Sequence, residues 1–425
     1  MGKHCMANVA DAPKDSFRLS MLLYDTRYRS LTIQVFVFFL FMAGAAWLVD
    51  NTMRNLEALG KDFDFGFLWN RAGYDISQRL VDYTNDSTHG RAMLVGLLNT
   101  LLIALLGCMA ATVIGVLVGV LRLSRNWIVG RLMTVYVEVF RNVPLLLWIL
   151  LIYAVFSEAT PAPNAFRPNP ETGIADRSMF LDAIAVTNRY TALPNPVFSR
   201  ELGWLDLGLF YVNMDVLAVI GAIIAGWFIN RSVKARATRI QEATGERPAT
   251  WWSSLLLLVG LPVAVLLALG FHLEFPELRG FNFVGGLNVS NSFMALWLAL
   301  SLYTGAFIAE IVRGGILAVS RGQSEAAFAL GLRPGRTMNL VILPQALRVI
   351  IPPLISQYLN LTKNSSLAIA VGYLDLRGTL GGITLNQTGR ELECVLLMML
   401  IYLAISLVIS GVMNVYNSAV KLKER

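Results

Sequence analysis

The chain has 425 residues, of which 56% are hydrophobic and only 15% are charged, and its formal net charge is +7. Soluble domains carry about 25% charged residues, so this composition indicates a membrane protein and excludes an ordinary soluble domain. The three cysteines and three histidines are scattered along the chain, which indicates neither a disulfide framework nor a metal site.

The apolar stretches of the sequence predict several membrane-spanning helices, because about 20 consecutive apolar residues cross the hydrocarbon core of a bilayer. Five stretches without a charged residue have about this length, namely 31–49, 92–121, 251–271, 289–309 and 394–420. Three further candidates contain one or two charged residues, namely 132–156, 207–230 and 349–374. We therefore predict an all-α polytopic membrane protein with about eight transmembrane helices. The first is expected to be an uncleaved anchor, because it is long for the apolar part of a signal peptide.

The distribution of Lys and Arg predicts that both termini are cytoplasmic. If the eight spans alternate in direction, the loops on the side of the termini carry about twice as many Lys and Arg per residue as the opposite loops. Basic residues are enriched in the cytoplasmic loops of membrane proteins. The positive net charge is accounted for by these loops, and no nucleic-acid partner is indicated.

The segment 157–291 has the features of an insertion. It contains a Pro- and Asn-rich stretch, a basic loop and two of the predicted spans. Because two spans are an even number, its removal leaves the direction of the remaining spans unchanged. In chain order, we predict a cytoplasmic N-terminus with anchor and outer segment at 1–91, a first core part at 92–156, the insertion at 157–291, a second core part at 292–416 and a cytoplasmic tail at 417–425.

The stretch from Ser324 to Gln345 reads as two short helices on the cytoplasmic side. Ser324 is a suitable N-cap for a helix through Leu330, and Gly331 can end that helix in a left-handed conformation. Arg333, Pro334 and Gly335 then turn the chain into a second helix that is expected to end at Pro344. The alanines give the first helix a small face that suits a groove on a partner protein. An amphipathic loop helix lying at the lipid headgroups is the equally open alternative.

The same stretch carries a known motif. Glu325, Ala326 and Ala327 are followed after three residues by Gly331 and after nine more by Val341-Ile342-Leu343-Pro344. This spacing resembles the EAA loop of bacterial ABC-importer permeases, with Val341 in place of the usual isoleucine. The resemblance implies that the loop 321–344 couples the chain to an ATPase. The coupling residues would be Glu325, Ala326, Ala327, Gly331, Arg333 and Pro344.

Two further stretches resemble the polar amino acid branch of these permeases, the histidine and glutamine type. They are "VEVFRNVPLL" at 137–146 and "KNSSLA" at 363–368, which depart from the branch pattern at Asn142-Val143 and Asn364-Ser365. The matches cover a core of five spans with the type I importer fold. A long chain with an added anchor and a two-helix insertion is most similar to the larger permease subunit of the general L-amino acid transporters.

The resemblance also implies partners and a location. These are a second permease subunit, expected to be a different chain, two cytoplasmic ATPase subunits and a periplasmic amino acid-binding protein. The chain has no phosphate-binding loop of the G-x-x-x-x-G-K-[ST] type, so ATP and Mg would be bound by the partner ATPase and no cofactor by this chain. The expected location is the bacterial inner membrane, and the expected role is non-catalytic.

Charged residues within the predicted spans need a partner, because a charge at bilayer depth costs at least about 2.5 kcal/mol. Glu138 with Arg141, and Glu310 with Arg313, are spaced as i, i+3 pairs near cytoplasmic helix ends. We interpret them as structural or gating pairs that limit this cost by pairing and by reaching towards the headgroups.

Lys363 lies in the middle of a predicted span. Ser356, Asn360 and Lys363 share one helical face, and a polar stripe at this depth is expected to line a cavity or another subunit. Asn364, Ser365 and Ser366 are suitable caps for a new half-helix that would begin near Leu367. Two readings stay open: this point attracts the α-carboxylate of a translocated amino acid, or Lys363 pairs with an acid of the partner permease.

The preferred function is the membrane-spanning subunit of an ATP-driven amino acid importer that works by alternating access. The alternative is an ATP-independent secondary transporter or channel for small polar solutes, which would have inverted repeats and no docking loop. A membrane-embedded enzyme would need clustered catalytic groups, and the sequence supplies none.

Overall fold

The computed structural model describes residues 26–58, 60, 63–168, 175–206, 208 and 211–420. The predicted cytoplasmic N-terminus up to residue 25 and the last five residues of the predicted tail lie outside this part of the chain. The chain divides into two units, Met1–Phe65 and Gly66–Arg425. In the first unit, the predicted anchor is a single helix α1 (Thr26–Ala58), whose apolar side chains are exposed.

The second unit is mostly helical. Its long helices are α2 (His89–Leu121), α5 (Met214–Thr244), α8 (Asn291–Leu317), α11 (Leu343–Asn364) and α13 (Glu391–Val420). Shorter ones are α3 (Trp127–Asn142), α4 (Leu145–Ala154), α6 (Trp251–Leu255), α7 (Leu261–Ala268), α9 (Arg321–Ala329), α10 (Pro334–Thr337) and α12 (Leu385–Thr388). In the described part of the chain, seven helical segments are long and apolar enough to cross a membrane, or up to eight if one bent pair is a single span. The predicted helical class and the count of about eight spans are therefore confirmed.

The predicted span 132–156 is wrong in one respect, because it is not one straight helix. Helices α3 and α4 meet at an angle of 105°. Val143 lies between them in an extended conformation, with φ −103° and ψ 133°, and Pro144 follows. The ring of a proline disfavours the helical conformation of the residue before it, so the chain bends at Val143.

The core of the second unit forms around α8. Helix α2 packs along α8 at very short range, where a Cβ atom on Gly119 would lie 2.7 Å from the carbonyl oxygen of Ala309. A Cβ atom on Gly115 would lie 2.5 Å from Cβ of Ile308. Helices α4 and α11 supply further buried side chains to the same cluster, among them Ile149 and Ile350. Small residues thus let two backbones approach, as is common between helices in membranes.

The described part of the segment 157–291 contains the two predicted helices, α5 and the α6–α7 pair joined by a π turn, together with nine short strands that we did not predict. The strands are β1 (Ala185–Val186), β2 (Tyr190–Leu193), β3 (Asn195–Phe198), β4 (Trp204–Asp206), β5 (Tyr211–Asn213), β6 (Phe271–Glu274), β7 (Glu277–Arg279), β8 (Asn282–Val284) and β9 (Leu287–Ser290). They form antiparallel sheets with the orders β1-β2-β9, β3-β6, β4-β5 and β7-β8. Strand β2 lies near the start of the segment and β9 at its end, so their pairing brings the two ends together. The division into domains stays a prediction.

Candidate functional site

The predicted cytoplasmic hairpin is present, with different helix limits. Helix α9 begins at Arg321 and has Ser320 as its N-cap residue, so the prediction that Ser324 caps the helix is wrong. Both serines fit an N-cap by residue type, but the helix begins after the earlier one, whose side chain makes no capping hydrogen bond, and it is therefore about one turn longer than predicted. Gly331 ends the helix as predicted, with φ +76°, a conformation that favours glycine. The backbone N–H of Leu332 donates to the carbonyl of Ala327 at 3.1 Å, which closes the helix end.

The two faces of α9 differ. Ala327 is buried at 4% exposure and lies on the inner face, whereas Glu325 and Ala326 are exposed. Phe328 and Leu330 are also exposed, at 50% and 83%. The sequence analysis missed these two apolar side chains, although large apolar residues in a polar loop are a recognisable signal of a contact surface.

The second helix does not end at Pro344, so that prediction is wrong. After α10 the chain makes a π turn over Met338–Ile342 and continues as α11 to Asn364. A proline inside an α-helix lacks an N–H and clashes with the carbonyl four residues earlier, and the wider π turn before Pro344 makes room for it. Arg333 is exposed and precedes this continuous helical segment as the N-cap residue of α10. The amide of Gln345 donates to the amide oxygen of Gln323 at 3.3 Å, which links α11 to α9.

Glu310 pairs with Arg313 as predicted, at 2.6 Å, and also with Arg122, which the sequence analysis missed. Arg122 follows the end of α2 and its side chain is only 8% exposed, so its charge depends on this carboxylate. The three side chains join the C-terminal ends of α2 and α8, just before the hairpin.

The predicted pair of Glu138 and Arg141 does not form. The side-chain amide of Asn142 donates to the Glu138 carboxylate at 3.2 Å. The guanidinium of Arg141 instead lies over the ring of Phe307, 5.3 Å from its centroid. A cation over an aromatic face is a favourable contact, and it replaces the expected ion pair.

The polar stripe on α11 faces away from the core, because Ser356, Asn360 and Lys363 are all exposed. The predicted half-helix near Leu367 is absent. The helix runs without a break into a 3₁₀ segment at Ser365–Val371. Ser365 is buried and its hydroxyl donates back to the carbonyl of Thr362 at 2.8 Å, so it does not cap a new helix. Asn364 also makes no side-chain cap.

A cavity of about 450 Å³ lies beside this stripe, between α11, the π segment Arg377–Thr384 and α13. Its polar lining consists of Lys363, Ser366, Arg377, Tyr402 and Ser406. The cavity therefore brings together two of the predicted path residues, Lys363 and Ser366, and adds Arg377 from a segment that the sequence analysis did not consider.

Beside the cavity lies the buried carboxyl group of Asp375. One oxygen accepts the backbone N–H of Gly378 at 2.8 Å, and the other accepts the hydroxyl of Tyr402 at 3.2 Å. Burial raises the pKa of Asp375 to about 6, although both hydrogen bonds and the nearby Arg377 act in the opposite direction. The carboxyl group thus fixes the turn that carries Arg377.

A family model described as a binding-protein-dependent transport system inner membrane component matches residues 218–422. The glutamate/glutamine/aspartate/asparagine transport system permease protein BztB of Rhodobacter capsulatus is 61% identical, over 99% of this chain and 100% of that protein. This chain belongs to the family of amino acid ABC-transporter permeases.

The general L-amino acid transport system permease protein AapQ of Rhizobium johnstonii is 46% identical to this permease, over 96% of each chain. The putative amino-acid ABC transporter permease protein YhdX of Escherichia coli is 43% identical, over 89% of this permease and 91% of that protein. These matches extend beyond the five-span core to most of the chain. The family and the membrane location predicted from the EAA-type motif are confirmed.

Proposed function

We propose that this permease forms one half of the translocation path of an ATP-driven importer for L-amino acids and is coupled to the ATPase through α9. The observation that carries the proposal is the cytoplasmic hairpin. Its outer face presents Glu325, Ala326, Phe328 and Leu330, while Ala327 holds the helix against the rest of the chain. An exposed apolar surface of this kind suits a groove on a partner protein.

The hairpin is joined directly to helices that cross the membrane. On one side α8 ends at Leu317, four residues before α9 begins, and on the other the helical segment from Pro334 runs to Val371. A push on α9 is therefore transmitted to two rigid spans. Closure of the ATPase pair would tilt these spans and open the path to one face of the membrane or the other, which is alternating access.

The other components of the proposed importer are separate subunits. The proposed assembly contains a second permease subunit that is a different chain, two ATPase subunits that bind ATP and Mg, and a periplasmic amino acid-binding protein. This permease would bind no cofactor and catalyse no reaction itself. Both termini and the hairpin lie in the cytoplasm, and the strands of the insertion lie on the periplasmic side, where they are available to the binding protein.

The proposed substrates are amino acids of the kind named for the Rhodobacter relative, namely glutamate, glutamine, aspartate and asparagine. Lys363 would attract their α-carboxylate, because a cation at this depth favours an anion over a neutral group. The alternative for Lys363 is an ion pair with the second permease. Lys363→Ala separates the two: loss of substrate-stimulated ATPase activity with an intact complex supports the first, and failure to assemble supports the second.

The coupling role is tested by co-purification. Leu330→Glu places a charge on the exposed surface at the end of α9, and we expect the purified permease to lose its ATPase subunits and its uptake activity. Leu202→Glu is the matched control, because Leu202 is also exposed, at 59%, but lies in the insertion. A Leu330→Glu complex that keeps the ATPase and imports at the normal rate would contradict the proposal. Uptake by the wild-type permease in the absence of any ATPase would instead support the secondary transporter.

A further inference from the structure

The cavity between α11, the segment Arg377–Thr384 and α13 contains two cations. Lys363 and Arg377 both line it and both are exposed. Neither forms an ion pair with any residue in the described part of the chain. Two cations without an ion pair within the described chain are costly at the edge of a membrane span, so their presence in one cavity favours the binding of a negatively charged group there.

The position of Arg377 is fixed by the structure around it. Arg377 stands between Asp375 and Gly378, and the carboxyl group of Asp375 accepts the backbone N–H of Gly378 at 2.8 Å. The second oxygen of Asp375 accepts the hydroxyl of Tyr402 on α13 at 3.2 Å. Asp375 is fully buried, so it holds the turn in place without occupying the cavity. This arrangement presents the guanidinium from a rigid base, as a binding site requires.

The other residues that line the cavity determine how strongly it attracts an anion and how large a ligand it can hold. Apolar side chains make up most of the wall, among them Met398, Met399 and Leu403 of α13. An apolar wall lowers the local dielectric constant and strengthens the attraction between a cation and an anion. The hydroxyl groups of Ser366, Tyr402 and Ser406 supply acceptors for an ammonium group. The volume of about 450 Å³ is within the usual range of about 300–1,000 Å³ for small-molecule sites.

We propose that this cavity is a selective site for amino acids with two carboxylates, in which Lys363 binds the α-carboxylate and Arg377 binds the side-chain carboxylate. The inference rests on the proposed function and deepens it, because it assigns a substrate class to one place in the path. A neutral amino acid such as glutamine has one carboxylate and needs only one of the two cations. Glutamate needs both cations, because its second carboxylate also loses its hydration in the cavity and must be paired.

The test compares uptake of glutamate and glutamine by the complete complex in proteoliposomes, at saturating loaded binding protein. Arg377→Gln should lower the ratio of the glutamate uptake rate to the glutamine uptake rate by about tenfold, the effect of losing one charged hydrogen bond. Lys363→Gln should lower the uptake of both substrates, because both have an α-carboxylate. The double variant should lower the uptake of both substrates. Arg177→Gln is the matched control, because Arg177 is an exposed arginine of the insertion outside the cavity, and it should leave the ratio unchanged.

The outcomes separate this inference from the proposed function. If the wild-type complex imports no amino acid, the proposed function fails. If the wild type imports both substrates and Arg377→Gln lowers their uptake equally, only the inference fails. Should a Gln variant not assemble with its partners, Arg377→Lys is measured, which keeps the charge but loses the two-pronged geometry of the guanidinium. A selective fall of about threefold in glutamate uptake would support the site, and an unchanged ratio would overturn it.

Discussion

Replacing Glu310 with Gln removes the negative charge that Arg122 and Arg313 share at the C-terminal ends of α2 and α8. Gln has the same shape, so the packing of the two helices is kept and only the charge is changed. Both carboxylate oxygens are used, one by each guanidinium. The amide can accept from one arginine, and its NH₂ group then faces the other.

The size of the effect follows from burial. Removing one partner of a fully buried ion pair costs about 3–5 kcal/mol, because a charge is left without compensation. Arg122 is 8% exposed, but Glu310 is 30% exposed, so water screens part of the interaction. We therefore expect a loss of about 2 kcal/mol. Because the second unit is large, this corresponds to a decrease of only about 3 °C in its melting temperature.

The assay is thermal unfolding of the purified complex, with Glu138→Gln as the control. Glu138 is exposed and accepts only from the amide of Asn142, so its substitution should change the melting temperature by less than about 1 °C. Uptake should fall in the Glu310→Gln variant as well, because the three side chains fix α8 next to the hairpin. Equal melting temperatures for the two variants would refute the assignment of Arg122 and Glu310 as a stabilising pair.

Two further substitutions test the packing and the buried acid. Gly119→Ala should destabilise the protein by about 1–3 kcal/mol, because the new Cβ would lie 2.7 Å from the Ala309 carbonyl oxygen. The control Gly221→Ala has open space around the new Cβ and should be neutral or slightly stabilising. Equal unfolding midpoints for the two variants would contradict the close packing at Gly119. Burial raises the pKa of Asp375 to about 6 in the folded state, so the folded protein binds this proton more tightly than the unfolded chain does. The free energy of unfolding of the wild type should therefore fall by up to about 3 kcal/mol as the pH rises from 4 to 6. Asp375→Asn should remove this dependence in melting curves recorded across that pH range, and an unchanged slope would assign it to another group.

The sequence predicted those features that depend on local patterns. The spans follow from runs of apolar residues, and Gly331 was assigned its left-handed turn because few other residues adopt it. The start of α9 was misplaced because Ser320 and Ser324 satisfy the same local rule. The bend at Val143 is not predicted because the span 132–156 was assigned from the hydropathy of the whole stretch, which does not include the effect of Pro144 on the residue before it.

The features that sequence analysis missed depend on contacts between distant residues. Arg122 is 188 residues away from Glu310, and no local spacing relates them. Arg377 lines the same cavity as Lys363 only because the chain turns back after Val371 and packs against α13. The strands of the insertion have two to four residues each, too few for an alternating pattern to be recognised.

The central claim, that an ATPase docks on α9 in the cytoplasm, is tested most directly by crosslinking from Ala326. Ala326 is exposed beside the buried Ala327, so a cysteine there is accessible without disturbing the packing of the helix. In the native complex, Ala326→Cys should form a crosslink to a subunit that hydrolyses ATP, and it should be protected from a membrane-impermeant thiol reagent added outside intact cells. Labelling from outside, or crosslinks only to proteins that do not hydrolyse ATP, would contradict the account.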